Sequence, residues 1–429
     1  MRIELITTGS ELLLGFTVNR HLDYVGRQLA ALGLRLARHT TVADDRAEMT
    51  AVVRDAIARS DFILITGGLG PTSDDFTRDV VAELLGRPLV RDESVVAAIQ
   101  ERFRRRGLTM PDQVMVQALV PTGARVLPNA NGTAPGLLLH EAGKTIVLLP
   151  GPPRELHPMF AQQVRPLLAG RAGFQCRVLR TTGLPESIVE QKVEPVVRGV
   201  EVGYCARPGE VDVRLIGTDV TAAEQRVREV LGDFIYGTGE ERLEEIVVTM
   251  LTRAGRTVAT AESCTGGLIA HRLTNVSGSS AVLLAGWVTY SNAAKMRDLG
   301  VREETLRAHG AVSEPVAREM ADGARQRAGT DYALSATGIA GPTGGTPDKP
   351  VGLVYLGLAT PTGTQVQRHQ VAFDRETFKW YVSQCALDWL RRELLGKNAG
   401  GRLGQPAPPV TAQRPVAGRG GPTAPQGPR

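Results

Sequence analysis

The segment Asp61-Phe-Ile-Leu-Ile-Thr66, followed by Gly67-Gly68, constrains this chain more than any other: it is too short for a helix, apolar at successive positions, and closed by two glycines. Such a run is a strand covered on both faces, the habit of parallel sheets flanked by helices. The pattern recurs. Ile3 to Thr8 ends in Gly9, and Thr145-Ile-Val-Leu-Leu149 ends in Pro150-Gly151-Pro152-Pro153. Leu22, Val25, Leu29 and Leu32 return between strands at helical spacing. Residues 1–170 therefore read as a three-layer α/β domain with binding loops at the carboxyl ends of its strands.

Residues 171–240 change character. Val202 to Cys205 and Val211 to Ile216 read as strands joined through Arg207-Pro208-Gly209-Glu210, with helices at Glu186 to Val197 and Ala222 to Leu231, a small α+β unit. Residues 241–396 return to α/β, with strands at Thr257 to Ala261, Ala281 to Tyr290, Asp331 to Ala336 and Val351 to Leu358. Helices are expected at Gly266 to Leu273, Pro315 to Ala328 and Thr377 to Leu395. The fold class is α/β: two α/β/α three-layer domains joined by a small α+β domain, in keeping with about three domains for 429 residues. Residues 397–429 hold seven Pro, seven Gly and no aromatic, a composition that cannot offset its ordering entropy and is expected to be disordered.

The net charge of +5 equals what that tail carries on Lys397, Arg402, Arg414, Arg419 and Arg429 without an acid, so the body is neutral. Nucleic acid is accordingly not an expected partner. No window reaches the roughly 18 apolar residues of a membrane span. The first residues carry Glu4 and Glu11 without a small-residue cleavage site, unlike a secretory signal. A soluble, cytoplasmic protein is expected. Cys176, Cys205, Cys264 and Cys385 are isolated, without zinc spacing, which suits a reducing compartment. Arginine outnumbers lysine 44 to 6, so a surviving lysine marks places where an amine does what a guanidinium cannot.

Two groups of loops carry chemistry. Thr66-Gly-Gly-Leu-Gly-Pro-Thr-Ser-Asp-Asp75 resembles a phosphate cradle, since its glycines let main-chain N–H groups approach an anion. Asp74 and Asp75, joined by Glu11 from another strand end, add hard oxygen ligands suited to a divalent cation between phosphates. Asn131-Gly-Thr-Ala-Pro-Gly136 and Pro150-Gly-Pro-Pro-Arg-Glu155 supply further loops, and ordinary turn chemistry is the competing reading of each.

In the C-terminal third, Glu262-Ser-Cys-Thr-Gly-Gly267 leads into a helix whose free N–H groups, with the Ser263 and Thr265 hydroxyls, form an anion site or a simple N-cap. Ser277-Gly-Ser-Ser280, a strand ending at Tyr290, and Lys295 follow. Ser280 and Tyr290 are ten residues apart and share a face on an unkinked strand, with Lys295 in the next helical turn, so the three are expected to converge. His271 and His309 fall on predicted surface positions, which leaves a buried lysine, direct or relayed through tyrosine, as the base for a serine. Cys264 reads as core-facing. Ser335-Ala-Thr-Gly-Ile-Ala-Gly-Pro-Thr-Gly-Gly345 adds hydroxyls and glycines at the same sheet edge.

The motifs T-G-G-L-G-P-T-x-D-D, N-G-T-A-P-G and P-G-P-P-x-E resemble, in order, the molybdopterin-biosynthesis-like N-terminal domain of the competence/damage-inducible family CinA. That resemblance implies a metal-dependent ADP-ribose pyrophosphatase using magnesium, manganese or cobalt (Mg, Mn, Co). Its contacts fall on Glu11, Asn19, Thr66, Gly67, Gly68, Gly70, Asp74, Asp75, Gly151 and Glu155, with Glu11, Asp74 and Asp75 at the metal. A-E-S-C-T-G-G, S-G-S-S, V-T-Y-S-N-x-x-K, H-G-A-V-S-E and A-T-G-I-A-G-P-x-G-G resemble the C-terminal CinA domain. That implies a metal-independent deamidase of nicotinamide mononucleotide. Ser280 is then the nucleophile, Tyr290 and Lys295 its activating pair, and Ser263 the alternative nucleophile. Ser263, Thr265, Gly266, Gly267, Thr337 and Gly338 would bind the nucleotide or oxyanion. The middle segment resembles the family's KH-like domain, yet Gly183-Leu-Pro-Glu186 lacks the second glycine of a nucleic-acid clamp, so a spacer or dimerisation role is expected. A homodimer is expected. The competing reading is a competence or DNA-repair accessory that binds through the tail, with an N-terminal domain that binds a nucleotide or pterin without hydrolysis.

Overall fold

A computed structural model describes residues 1–397. The expected disorder of the tail concerns residues that, apart from Lys397, lie outside those described. Two compact units are present: Met1–Cys176 with Ile216–Val220, and Arg177–Leu215 with the described residues from Thr221 onward.

In the first unit, strands β1 (Ile3–Thr8), β2 (Leu36–Val42), β3 (Phe62–Thr66), β6 (Arg125–Leu127), β7 (Gly136–Glu141) and β8 (Lys144–Leu149) form a sheet in the order β2-β1-β3-β8-β7-β6. β4 (Leu89–Arg91) and β5 (Leu119–Pro121) form a separate antiparallel pair. β2, β1, β3 and β8 are parallel, and β7 and β6 close the sheet antiparallel. Alternate residues of the central strands feed different cores: Ile63 and Ile65 pack with Ile146 and Leu148 on one face, Phe62 and Leu64 with Val147 and Leu149 on the other. The apolar runs are therefore strands buried on both sides. Asp45 and Asp92 cap the helices Arg46–Arg59 and Glu93–Arg106 through their carboxylates.

The second unit holds a four-stranded sheet, β9 (Gln175–Thr182), β10 (Glu201–Arg207), β11 (Glu210–Gly217) and β12 (Ile235–Thr238), in the order β10-β11-β9-β12. With helices Glu186–Val193 and Thr221–Leu231 it makes the small KH-like domain. It packs against the C-terminal domain through a buried polar network. Gln384 donates to Glu210 Oε1 at 3.1 Å and Thr182 Oγ1 at 3.2 Å, while Arg272 donates to Gln384 Oε1 and Glu244 Oε2, each at 2.7 Å. Every partner is satisfied, which fixes how the two sheets dock.

The C-terminal sheet runs β14 (Leu283–Val288), β13 (Val258–Glu262), β15 (Tyr332–Gly338), β16 (Leu353–Thr360), β17 (Gly363–Gln370) in spatial order. β14 and β15 flank β13 in parallel, whereas β15-β16-β17 is an antiparallel meander. Helices Leu243–Ala254 and Arg375–Leu394 cover one face, with Phe378, Val382, Leu387 and Trp389 buried against Leu334, Leu356 and Leu358. Met320 and Ala324 of helix Glu314–Ala328 pack with Leu299, Ala259 and Ala333 in the second core. Among the described residues no helix is long and apolar enough to cross a membrane.

Candidate active sites

The carboxyl ends of β1, β3 and β8 lie level, because Thr7 pairs with Thr66 and Thr66 with Leu149. The chain then turns at Gly9, Gly67 and Gly151. Gly67 and Gly68 hold φ of +98° and +63°, and a Cβ on Gly68 would lie 2.1 Å from Thr77 Oγ1, so only glycine fits this turn. A cleft of about 900 Å³ opens over these loops. Glu11, Asn19, Gly67, Gly68, Gly70, Asp74, Asp75, Gly151 and Glu155 all line it.

Their side chains have distinct jobs. Asp75 accepts the main-chain N–H of Thr72 at 3.0 Å and also the Thr72 hydroxyl, bracing its own loop. Asp74 is exposed at the mouth of the same loop. Glu155 is buried in the first turn of helix Pro153–Met159 and accepts the Asn129 amide at 2.8 Å. Asn19 donates to Thr7 Oγ1 at 2.9 Å and accepts the His21 main-chain N–H at 3.0 Å. Thr66 does not line the cleft: it is buried beneath the floor, its hydroxyl 2.9 Å from His21 Nδ1. His21, which sequence reading passed over, does line the cleft, and burial lowers its pKa.

No group of three His, Cys, Asp or Glu among the described residues could hold a metal ion unaided. A magnesium-like ion commonly takes one or two carboxylates and completes its shell with substrate phosphates. Glu11 and Asp74 fit that partial role; Asp75, turned onto Thr72, does not.

The second site differs from the expected arrangement. Lys295, on helix Asn292–Leu299, is 1% exposed and donates to Ser263 Oγ at 3.1 Å and Thr289 O at 2.7 Å. Burial lowers its pKa, so an uncharged amine is accessible. Ser263 is fixed in turn by its main-chain N–H, which donates to Ala336 O at 2.9 Å. The expected convergence with Ser280 is corrected here. Ser280 is exposed in the turn Ser279–Ala281 before β14, whereas Tyr290 and Lys295 follow the opposite end of that strand. At about 3.3 Å per residue the six residues of β14 alone hold its two ends roughly 20 Å apart, however well the faces match. Tyr290 is exposed and accepts a hydrogen bond from Arg375 at 2.7 Å rather than one from Lys295.

A second correction concerns the helix after the Gly266-Gly267 turn. Neither Ser263 nor Thr265 caps it, and its first amides are not free: Glu262 accepts from Ile269 N at 3.0 Å and Ala270 N at 2.9 Å. This carboxylate already complements the helix start, which removes it as an anion site. Thr265 Oγ1 is buried without a hydrogen-bond partner. Thr337 donates its hydroxyl to Ala311 O at 2.8 Å, and Gly338 pairs with Val354 inside the meander, so both have a part in holding the fold. Cys264 is buried with its thiol pushed up to about 12, and His271 and His309 are exposed.

Family models match most of the described residues: a probable molybdopterin binding domain at residues 4–170, the KH domain of damage-inducible protein CinA at 176–237, and the CinA C-terminal domain at 240–394. A CinA-like protein of Kosmotoga olearia is 43% identical over 92% of this chain and 99% of its own. One from Akkermansia muciniphila is 45% identical over 90% and 96%. Among solved structures, the competence/damage inducible protein CihA from Agrobacterium tumefaciens is 45% identical, covering 36% of this chain and 93% of that one at a TM-score of 0.34.

Proposed function

The chain belongs to the CinA family of competence/damage-inducible proteins, and on that premise we propose that its C-terminal domain hydrolyses the carboxamide of nicotinamide mononucleotide to nicotinic acid mononucleotide and ammonia. The observation that supports this reading is the contact between the buried Lys295 amine and the Ser263 hydroxyl. A lysine whose pKa is lowered by burial offers an unprotonated amine more readily and is a substitute for histidine in activating serine. In its uncharged form Lys295 takes the Ser263 proton as Oγ attacks the carboxamide carbon. The C–N bond then breaks, the nitrogen leaves as ammonia with the proton returned by Lys295, and water cleaves the acyl-serine with the same amine as base. Thr289 O receives an N–H of the amine and aims it. Ser263 is thus preferred to Ser280 as the nucleophile.

The N-terminal cleft supports a second activity, hydrolysis of ADP-ribose to AMP and ribose 5-phosphate. Glu11 and Asp74 would share a divalent cation with the pyrophosphate, and the cation would neutralise phosphate charge. The Gly67-Gly68 turn would admit phosphate oxygens to the main chain. A homodimer belongs to the same proposal and is read by sedimentation. The test is ammonia release from nicotinamide mononucleotide by the full chain, with and without a chelator. Turnover that survives chelation supports the deamidase, and no ammonia in either condition removes it. AMP release from ADP-ribose that stops on chelation supports the N-terminal reading; binding without turnover reduces that domain to a nucleotide or pterin binder.

A further inference from the structure

We propose that Lys379 is the residue that reads the phosphate of the C-terminal domain's substrate, making that site selective for a mononucleotide over the nucleoside. The inference rests on the deamidase reading and adds a specificity determinant to it.

Four cationic side chains lie around the carboxyl edge of β13, β14 and β15, and three are already engaged. Lys295 is held by Ser263 and Thr289. Arg375 donates to Gly341 O at 2.9 Å and Tyr290 Oη at 2.7 Å. Lys349 donates to His309 O at 2.5 Å. Lys379 is half-buried, and among the described residues it has neither a hydrogen bond nor an ion pair. Its Nζ lies 3.5 Å from where a Cβ on Gly266 would sit, so the ammonium looks onto the bare main chain of the Gly266-Gly267 turn.

Lys379 stands in the second turn of the 20-residue helix Arg375–Leu394, just past the amides at its start. The capping carboxylate of Asp374 is committed to the amides of Glu376 and Thr377, each at 3.0 Å. A half-buried ammonium without a carboxylate partner can take a ligand anion in its place. The neighbouring helix cannot supply that anion's partner, because Glu262 occupies its first amides. Gly266 lies three residues from Ser263, at most about 11 Å along the chain. A mononucleotide, with carboxamide and phosphate on opposite sides of its ribose, can therefore place one group at Ser263 and the other at Lys379. Lysine is also the rarer cation here, 6 against 44 arginines, and it serves phosphate as a compact point charge.

The test uses the full chain and compares nicotinamide mononucleotide with nicotinamide riboside, which has the same carboxamide and no phosphate. Lys379→Ala is expected to raise KM for the nucleotide about 10–100-fold with kcat little changed, the worth of a charged hydrogen bond. It should leave kcat/KM for the riboside within about twofold, abolish competitive inhibition by inorganic phosphate, and be largely rescued by Lys379→Arg. Riboside turnover also serves as the control for folding. An equal fall on both substrates, or no change on the nucleotide, overturns the assignment. Should the wild-type chain release no ammonia, calorimetric binding separates the two ideas: tighter binding of the nucleotide than of the riboside that depends on Lys379 keeps the phosphate site and removes the deamidase, and binding indifferent to Lys379 removes the site.

Discussion

Lys295 and Ser263 meet at the carboxyl edge of the C-terminal sheet, amine nitrogen to hydroxyl oxygen at 3.1 Å, on side chains from a helix and a strand-end loop that the sequence separates by 32 positions. Because burial lowers the lysine pKa from its ordinary 10.5, the uncharged base is reached at lower pH than for a free lysine. Turnover on nicotinamide mononucleotide is expected to rise with pH along one ionisation below that ordinary value and then level off. Lys295→Arg, permanently charged, should lose about a thousandfold in kcat/KM. A pH profile of kcat/KM for both proteins checks this.

Glu262 makes the second prediction. It is fully buried and accepts the amides of Ile269 and Ala270 with its two oxygens. Glu262→Gln keeps the shape, removes the charge and turns an NH2 group towards one of the two amides. A stability loss of about 1–3 kcal/mol is expected, read as a lower Tm in calorimetry. An unchanged Tm would mean that the carboxylate is not what holds the helix start.

Acid should destabilise the fold through its histidines. Burial lowers the pKa of His21, His39 and His157, and that of His369 falls from 6.5 to about 4. Such a group binds fewer protons folded than unfolded, so its contribution is complete above the unfolded value and is lost as pH falls. Tm measured from pH 8 to pH 4 should decline below about 6.5. His369→Gln should flatten the lower part of that decline.

The paired aspartates of the N-terminal cleft should separate. Asp75→Ala frees Thr72 and is expected to lower stability by about 1 kcal/mol while disordering the loop. Asp74→Ala, at an exposed carboxylate, should leave Tm unchanged and weaken metal-dependent AMP release from ADP-ribose. Equal Tm losses in both would contradict the division of labour.

Much of the architecture was legible because burial imposes composition. Phe62–Thr66 and Lys144–Leu149 are strands for the reason their apolar runs imply, and the glycines after them sit at the cleft. β17 escaped notice: Gly-Thr-Gln-Val-Gln-Arg-His-Gln has no apolar alternation, and it is a strand because the tight return from β16 puts it on that edge. The second site was half legible. Lys295 stood out among so many arginines, but a shared strand face says nothing about distance along the strand, and that is why Ser280 and Lys295 do not meet. Glu262 was hidden for a different reason: its partners lie beyond a glycine turn that single-residue spacing does not resolve.

The most direct measurement is ammonia release from nicotinamide mononucleotide by Ser263→Ala and Ser280→Ala in the full chain. Ser263→Ala should lose at least about a thousandfold in kcat while Ser280→Ala stays within about tenfold of the parent. Retained turnover in Ser263→Ala, with loss in Ser280→Ala, would contradict a lysine-activated Ser263.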